Sequence, residues 1–273
     1  MGTLAAIEVW ARSPRKAERA LEAGFSALAQ AERLLHPTRA GSDLARLNNT
    51  SANCSVPVHA WTAALLRLGQ ELCLLSEGRF EPALPGCGSI LHWCPAGLRR
   101  VYVRRPARLD LGGIAKGYAV DRAVSAMRRA GATRGLVNAG GDLRVFGPQR
   151  WPLVLRLGSN TTLKLQIQNM ALAGSDPECA QGPSEHRGYY RPAFSRDVAG
   201  TRATAVIAPS AAIADALTKV LMLAAPGRTR GLLARCGAHE IVSGPHLTRP
   251  TDHIFIAGEL LDTDRTACVE AIG

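Results

Sequence analysis

The sequence predicts an α+β fold in which mixed, largely antiparallel sheets carry packed helices. Two patterns lead there. Leu153, Leu155 and Leu157 alternate with more polar or smaller residues, as do Leu163, Leu165 and Ile167, and Gly158-Ser159-Asn160 lies between the two runs, which is the pattern of an antiparallel hairpin. Elsewhere, apolar residues recur at helical spacing between Gly and Pro punctuation. Hairpins mixed with helices, without an internal repeat, favour α+β over a doubly wound parallel sheet. The 273 residues, 47% apolar and 20% charged, are enough for a sizeable core and exclude a disordered or coiled-coil chain. We read 1–273 as a single domain.

In chain order, an opening strand leads to Ser13-Pro14, an N-cap followed by a first-turn proline. Ala17, Leu21, Phe25 and Leu28 then form the apolar stripe of a first helix. Residues 36–49 predict a polar loop. A second helix begins near His59, with Trp61, Leu65, Leu68, Leu72 and Leu75 on one face and Gly78 as its stop. Residues 79–100, rich in Gly, Pro and Cys, predict loop. Strand is expected at 101–103 and again at Leu109, ending in the carboxylate of Asp110. A helix over 115–129 buries Val120, Val124 and Met127. Strands at 135–137 and 143–146 flank Asn138–Asp142. Beyond the hairpin, 175–200 is polar and broken by Pro and Gly. Strand at 203–207, helices at 210–223 and 227–235, and strands at 238–242 and 253–257 complete the chain.

The outlying number is the charge. There are 33 basic residues against 22 acidic, net +11, and only four of the basic residues are lysine. Such a balance points to an anionic partner: nucleic acid, a membrane surface or a phosphorylated small molecule. The arginines are scattered, and the 5% of aromatics do not interleave with basic clusters, so no nucleic-acid partner is expected. No stretch of eighteen apolar residues and no signal-peptide pattern occurs, which predicts no membrane segment and a cytoplasmic protein, or a periplasmic one if a longer precursor exists. The seven cysteines form no CxxC pair and read as reduced thiols; His92 and Cys94 lack a second ligand pair, so no zinc site is expected.

Three segments can carry chemistry. In Asp110-Leu111-Gly112-Gly113-Ile114-Ala115-Lys116-Gly117-Tyr118-Ala119-Val120-Asp121, a Gly-Gly pair permits close backbone approach, and a helix opens with a lysine in its first turn. Exposed N–H groups at a helix start and a nearby ammonium suit phosphate, although a packing joint explains the same residues. In Asn138-Ala139-Gly140-Gly141-Asp142, a tight turn explains the glycines but leaves Asn138 and Asp142 over. The third is Asp215 in an Ala-rich apolar helix, where a carboxylate needs a partner. Asp215 and Thr218 share a face and suit a hard cation such as Mg2+; Lys219, four residues on, admits a plain ion pair instead.

Taken together, these segments resemble the ApbE family of FAD:protein FMN transferases. Weaker echoes are Met1-Gly2-Thr3, Ser42-Asp43-Leu44-Ala45-Arg46-Leu47-Asn48 and Ser76-Glu77-Gly78-Arg79-Phe80. The resemblance implies Mg2+-dependent cleavage of the FAD pyrophosphate, transfer of FMN to a threonine or serine hydroxyl of an acceptor flavoprotein, and release of AMP. It implies that the Gly113 carbonyl, Asp215 and Thr218 hold the metal, that Asp215 and Lys116 are catalytic, and that Met1, Arg79, Phe80, Glu81, Asp110 and Lys116 contact FAD. The chain departs from the family pattern at three places. Phe80-Glu81-Pro82-Ala83 stands for F-D-P-T, the helix threonine lies three rather than four residues after Asp215, and Arg191–Asp197 replaces an expected His followed by Asp-Pro, with His186 the only histidine nearby. These departures keep an alternative open, a homologue that binds or hydrolyses FAD without transfer.

Overall fold

The structure, a computed structural model, describes residues 3–97, 99–157, 161–176, 190–191, 196–197, 203–224 and 228–242. Its elements begin with β1 (Ala5–Ala11), α1 (Pro14–Leu35), α2 (Asp43–Asn48), β2 (Cys54–Pro57) and α3 (Ala60–Leu75). Then come β3 (Trp93–Ala96), β4 (Arg100–Val103), α4 (Ala115–Arg129), β5 (Ala132–Ala139), β6 (Asp142–Phe146), β7 (Trp151–Leu157), β8 (Thr161–Ile167) and β9 (Ala171–Ser175). The short β10 (Tyr190–Arg191) and β11 (Arg196–Asp197) precede β12 (Thr204–Ala208), α5 (Ala211–Leu223), α6 (Arg230–Arg235) and β13 (His239–Val242).

Six strands form one antiparallel sheet in the order β1-β5-β6-β9-β12-β13. Alternation along its strands sorts side chains to two faces. On one face, Leu136, Leu143, Val145, Leu172, Ala205 and Ile207 meet Leu155, Leu163, Leu165 and Ile167 of the β7–β8 hairpin. On the other, Val137, Phe146 and Ala171 pack with α1, α4 and α5, and Ala173, Val206 and Ala208 extend that contact along α5. Each large buried side chain contributes roughly 1.5–3 kcal/mol. β12 is covered on both sides, so every one of its residues is buried.

The mixed antiparallel architecture is the one expected, and so is the hairpin register, with Leu153 opposite Leu165 and Leu155 opposite Leu163. Its turn, Gly158-Ser159-Asn160, and the expected strand at 253–257 lie outside the described residues. Other expectations are corrected. The expected loop at 36–49 contains α2, capped by the Ser42 hydroxyl, which accepts from the Ala45 N–H. Asp43 within it is buried, accepting from the His59 N–H at 2.6 Å and the Thr62 hydroxyl at 2.7 Å, so it ties α2 to the start of α3. The expected loop at 79–100 contains a 3-10 turn, Ile90–His92, and β3, which pairs with β4 and fully buries Trp93.

At Leu109 the expected strand is reduced to one bridge with Ala83. Its backbone is held instead by the Asn48 amide, which donates to the Leu109 carbonyl at 3.0 Å and accepts from the Leu109 N–H at 2.8 Å. The stripe of α1 is also rotated. Ala20, Gly24, Ala27, Leu28, Ala31 and Leu35 are buried, whereas Phe25 is exposed. Small residues face inward because α1 lies close to its neighbours: a Cβ on Gly24 would come within 2.7 Å of the Ile7 Cδ1 and 3.1 Å of the Met127 Cγ.

Candidate active site

The site sits where the N-terminal ends of α4 and α5 converge over the ends of β6 and β9. Gly117 makes that convergence possible. A Cβ there would lie 2.1 Å from the Ala211 carbonyl oxygen, so no larger residue fits without moving the helices apart. One turn on, Asp121 locks the joint. Its carboxylate accepts from the Ala211 and Ala212 N–H groups, each at 3.0 Å, from the Ser210 hydroxyl at 2.7 Å and from Arg144 at 2.5 Å. An anion on the first amides of α5 satisfies donors that have no helical partner and complements the helix dipole. The Gly140-Gly141 turn, both residues at positive φ, returns the chain so that Asp142 opens β6. Asn138 accounts for itself here, its side-chain oxygen accepting from the Gly141 N–H at 2.9 Å.

Besides Asp121 and Arg144, four described ionisable side chains meet at this joint. Lys116, in the first turn of α4, donates to the Asp142 carboxylate and lies 3.9 Å from Asp215 Oδ1. Asp215 is wholly buried; its Oδ2 accepts from the Gly117 N–H at 3.2 Å and its Oδ1 from Lys219 at 2.5 Å. The Lys219 ammonium also reaches the Ser175 hydroxyl at 3.0 Å and the Thr218 hydroxyl at 3.1 Å. Thr218 gives its one proton to the Asp215 carbonyl at 2.7 Å, so Ser175, 2.7 Å away, donates to Thr218. Thus the ion pair that the spacing admitted is formed, and Thr218 lies in the same cluster.

Electrostatics separate the two carboxylates. Burial pushes the Asp142 carboxyl up, the Asp215 charge adds to that, and the lysines only partly offset it, leaving it at about 6. Burial acts on Asp215 in the same direction. There Lys219, Lys116 and the Gly117 N–H outweigh it and hold the carboxyl below its ordinary range. One atom remains without a partner: Asp142 Oδ1 is buried and accepts no hydrogen bond. A buried anionic oxygen of this kind fits a cation. Among the described residues no three His, Cys, Asp or Glu side chains cluster, so a cation here would rest on carboxylates, neutral oxygens and the oxygens of a ligand.

Other expected site residues lie around this centre. Gly113 is beside it, with space for a Cβ bounded by the Lys219 stem at 3.6 Å and the Phe80 ring at 3.8 Å. Phe80 is buried in the core next to it. Asp110 is exposed and accepts from the Gly112 N–H at 2.8 Å, which shapes the Gly-Gly turn. Arg79 is occupied by Glu77 and the Ser76 carbonyl, each at 3.0 Å. Glu81 points into the protein. Its two oxygens accept from Ala83 and Ile90 N–H groups, the Ser89 hydroxyl at 2.5 Å and the Cys73 thiol. Met1, His186 and the 192–195 stretch lie outside the described residues.

Sequence reasoning left Ser175 out altogether, because nothing local marks a serine that ends a strand 43 residues before its partner Thr218. The sequence marks Asp142 as an unexplained carboxylate without a partner, and Lys219 as the i,i+4 partner of Asp215.

A sequence model described as the ApbE family matches residues 1–242. An FAD:protein FMN transferase of Treponema pallidum is 27% identical over 183 residues, which is 54% of this chain and 50% of the relative. The chain thus spans about half the length of that curated relative. The fold is shared with solved structures. An ApbE protein of Thermotoga maritima superposes with TM-score 0.74 at 22% identity, over 87% of this chain and 92% of the other. The flavinyl transferase ApbE of Pseudomonas stutzeri, in its apo form, gives 0.72 at 19%, over 89% and 92%.

Proposed function

The chain belongs to the ApbE family, and from that premise we propose that it transfers the FMN moiety of FAD to a threonine or serine hydroxyl of an acceptor flavoprotein, releasing AMP. The observation that carries this reading is the buried cluster of Lys116, Asp142, Asp215 and Lys219 beside the Gly112-Gly113 turn. One ammonium in the first turn of α4 and a second reaching in from the middle of α5 suit a pyrophosphate, and two carboxylates fix where those ammonium groups stand.

In this reading Asp142 orients Lys116, and Gly117 and Asp121 keep α4 and α5 close enough for both helices to face one ligand. Lys116 neutralises pyrophosphate charge as the hydroxyl oxygen bonds to the FMN phosphorus. The bond from that phosphorus to the AMP oxygen breaks, AMP departs, and the hydroxyl proton passes to water. The unpartnered Asp142 oxygen and the Asp215 carboxylate fit a divalent cation. Mg2+ would be held by Asp215 with the Gly113 carbonyl and Thr218, where a hard cation draws charge from the pyrophosphate. Exposed Asp110, together with Arg79, Phe80 and Met1, would complete the FAD contacts; Glu81 would act by holding the 81–90 loop in shape.

The test is incubation with FAD, Mg2+ and an acceptor flavoprotein bearing the threonine motif, following flavin fluorescence in a denaturing gel together with AMP release. Labelled acceptor with matching AMP supports transfer. AMP without label points to the hydrolysing alternative, and neither product contradicts the reading.

A further inference from the structure

Lys219 satisfies all three of its ammonium protons with oxygens of one small site: Asp215 Oδ1 at 2.5 Å, Ser175 Oγ at 3.0 Å and Thr218 Oγ1 at 3.1 Å. Two of these oxygens belong to the residues that fit a divalent cation, and the third is hydrogen-bonded to Thr218. The lysine stem runs beside Gly113, 3.6 Å from where a Cβ of that residue would stand. An ammonium therefore stands where a metal ion would have to stand.

Charge decides what can replace it. Among the described residues of the cluster, Asp142 and Asp215 balance Lys116 and Lys219, and the two carboxylates are 1% and 0% exposed. A divalent cation entering alone would leave an excess of positive charge, and a pyrophosphate entering alone would leave an excess of negative charge. Either is costly with so little water present. Entering together they preserve the balance, and the pyrophosphate offers the displaced ammonium new oxygens.

We propose that Lys219 is a tethered counter-ion that fills the cation site until a dinucleotide arrives, so that divalent cation and FAD bind each other's complex far better than the bare protein. The proposal rests on the FAD reading above. It makes the coupling reciprocal, so FAD affinity rises with the cation by the same factor. It also gives a purpose to lysine at this position, since a flexible, compact ammonium can swing from a carboxylate to a phosphate, and the stem remains packed while the head moves.

The experiment is Mn2+ titration followed by the electron paramagnetic resonance signal of free Mn2+, with and without FAD, on the wild type and Lys219→Met. Free FAD with Mn2+ serves as the control, and thermal melting checks folding. For the wild type, Mn2+ affinity is expected to rise about tenfold or more with FAD, within the usual range of coupling between sites. In Lys219→Met, Mn2+ is expected to bind without FAD, so the difference shrinks to about threefold or less. Should Lys219→Met fail to fold, Lys219→Gln, which keeps a donor for Ser175, carries the same expectation. Equal Mn2+ affinity with and without FAD in the wild type, or a variant that binds Mn2+ alone as weakly as the wild type, overturns the proposal. FAD binding is read separately by flavin fluorescence. A wild type that binds no FAD removes the reading beneath the proposal and overturns both, whereas bound FAD with a cation affinity indifferent to Lys219 overturns this proposal alone.

Discussion

The Cα of Gly117 faces the Ala211 carbonyl so closely that a Cβ would sit 2.1 Å from its oxygen. This contact sets the spacing between α4 and α5, and with it the distance from Lys116 to Asp215. Gly117→Ala is expected to part the helices at a cost of about 1–3 kcal/mol. Calorimetry should show a melting temperature several degrees lower, and FAD should bind more weakly because the Gly117 N–H no longer reaches Asp215.

Asp121 accepts three donors at the start of α5 and a fourth from Arg144. Asp121→Asn retains its size but loses the charge that the helix start and the guanidinium require. A buried pair broken from one side costs about 3–5 kcal/mol. We expect reduced stability in urea unfolding, and a smaller loss when Arg144 is also replaced by Met, because no buried charge is then left uncompensated.

Asp142 makes stability depend on pH in a defined direction. Its carboxyl stands at about 6 in the folded chain against an ordinary 3.8, so the folded form holds the proton more tightly. Its contribution to stability is therefore fully present in acid below about 4, declines as pH rises to about 6, and is absent above that, by up to about 3 kcal/mol. Asp215 has the opposite sign: held below its ordinary range, it stabilises above that range and loses its effect as pH falls. Melting curves of Asp142→Asn and wild type across pH 4 to 7 isolate the first effect. The variant should gain on the wild type as pH rises, whereas a difference independent of pH would contradict this assignment.

Thiol reactivity gives a check on packing away from the charges. Burial, with Glu81 beside it, pushes the Cys73 thiol up to about 12, whereas Cys54 is exposed. Iodoacetamide on the native protein should alkylate Cys54 and leave Cys73 unmodified until denaturant is added. Early labelling of Cys73 would show that the Glu81 loop does not hold.

Long periodic elements were legible because their signal is local. α3, α4 and the β7–β8 hairpin each repeat an apolar spacing over several turns or pairs, and burial follows it at Leu65, Leu72, Val120, Val124, Leu155 and Leu163. Phe25 misled because a large side chain outweighs alanine in a pattern, yet close helix packing selects Ala20, Gly24 and Ala27 for the inside. α2, β2 and β3 are too short for a period, and their stability comes from distant partners such as Asp43 with Thr62 or Trp93 in the core. The site divides in the same way. Lys116, Gly113, Asp215 and Thr218 lie within motifs, whereas the closure of the cluster by Ser175 is a tertiary fact.

The most direct test of the central claim, that this four-charge cluster receives the FAD pyrophosphate, is an FAD titration by fluorescence on the wild type and Lys116→Met at neutral pH. Loss of a charged hydrogen bond of about 1.5–3 kcal/mol should weaken binding about tenfold to a hundredfold in a variant that melts as one folded species. Equal FAD affinity in the two folded proteins would contradict the claim.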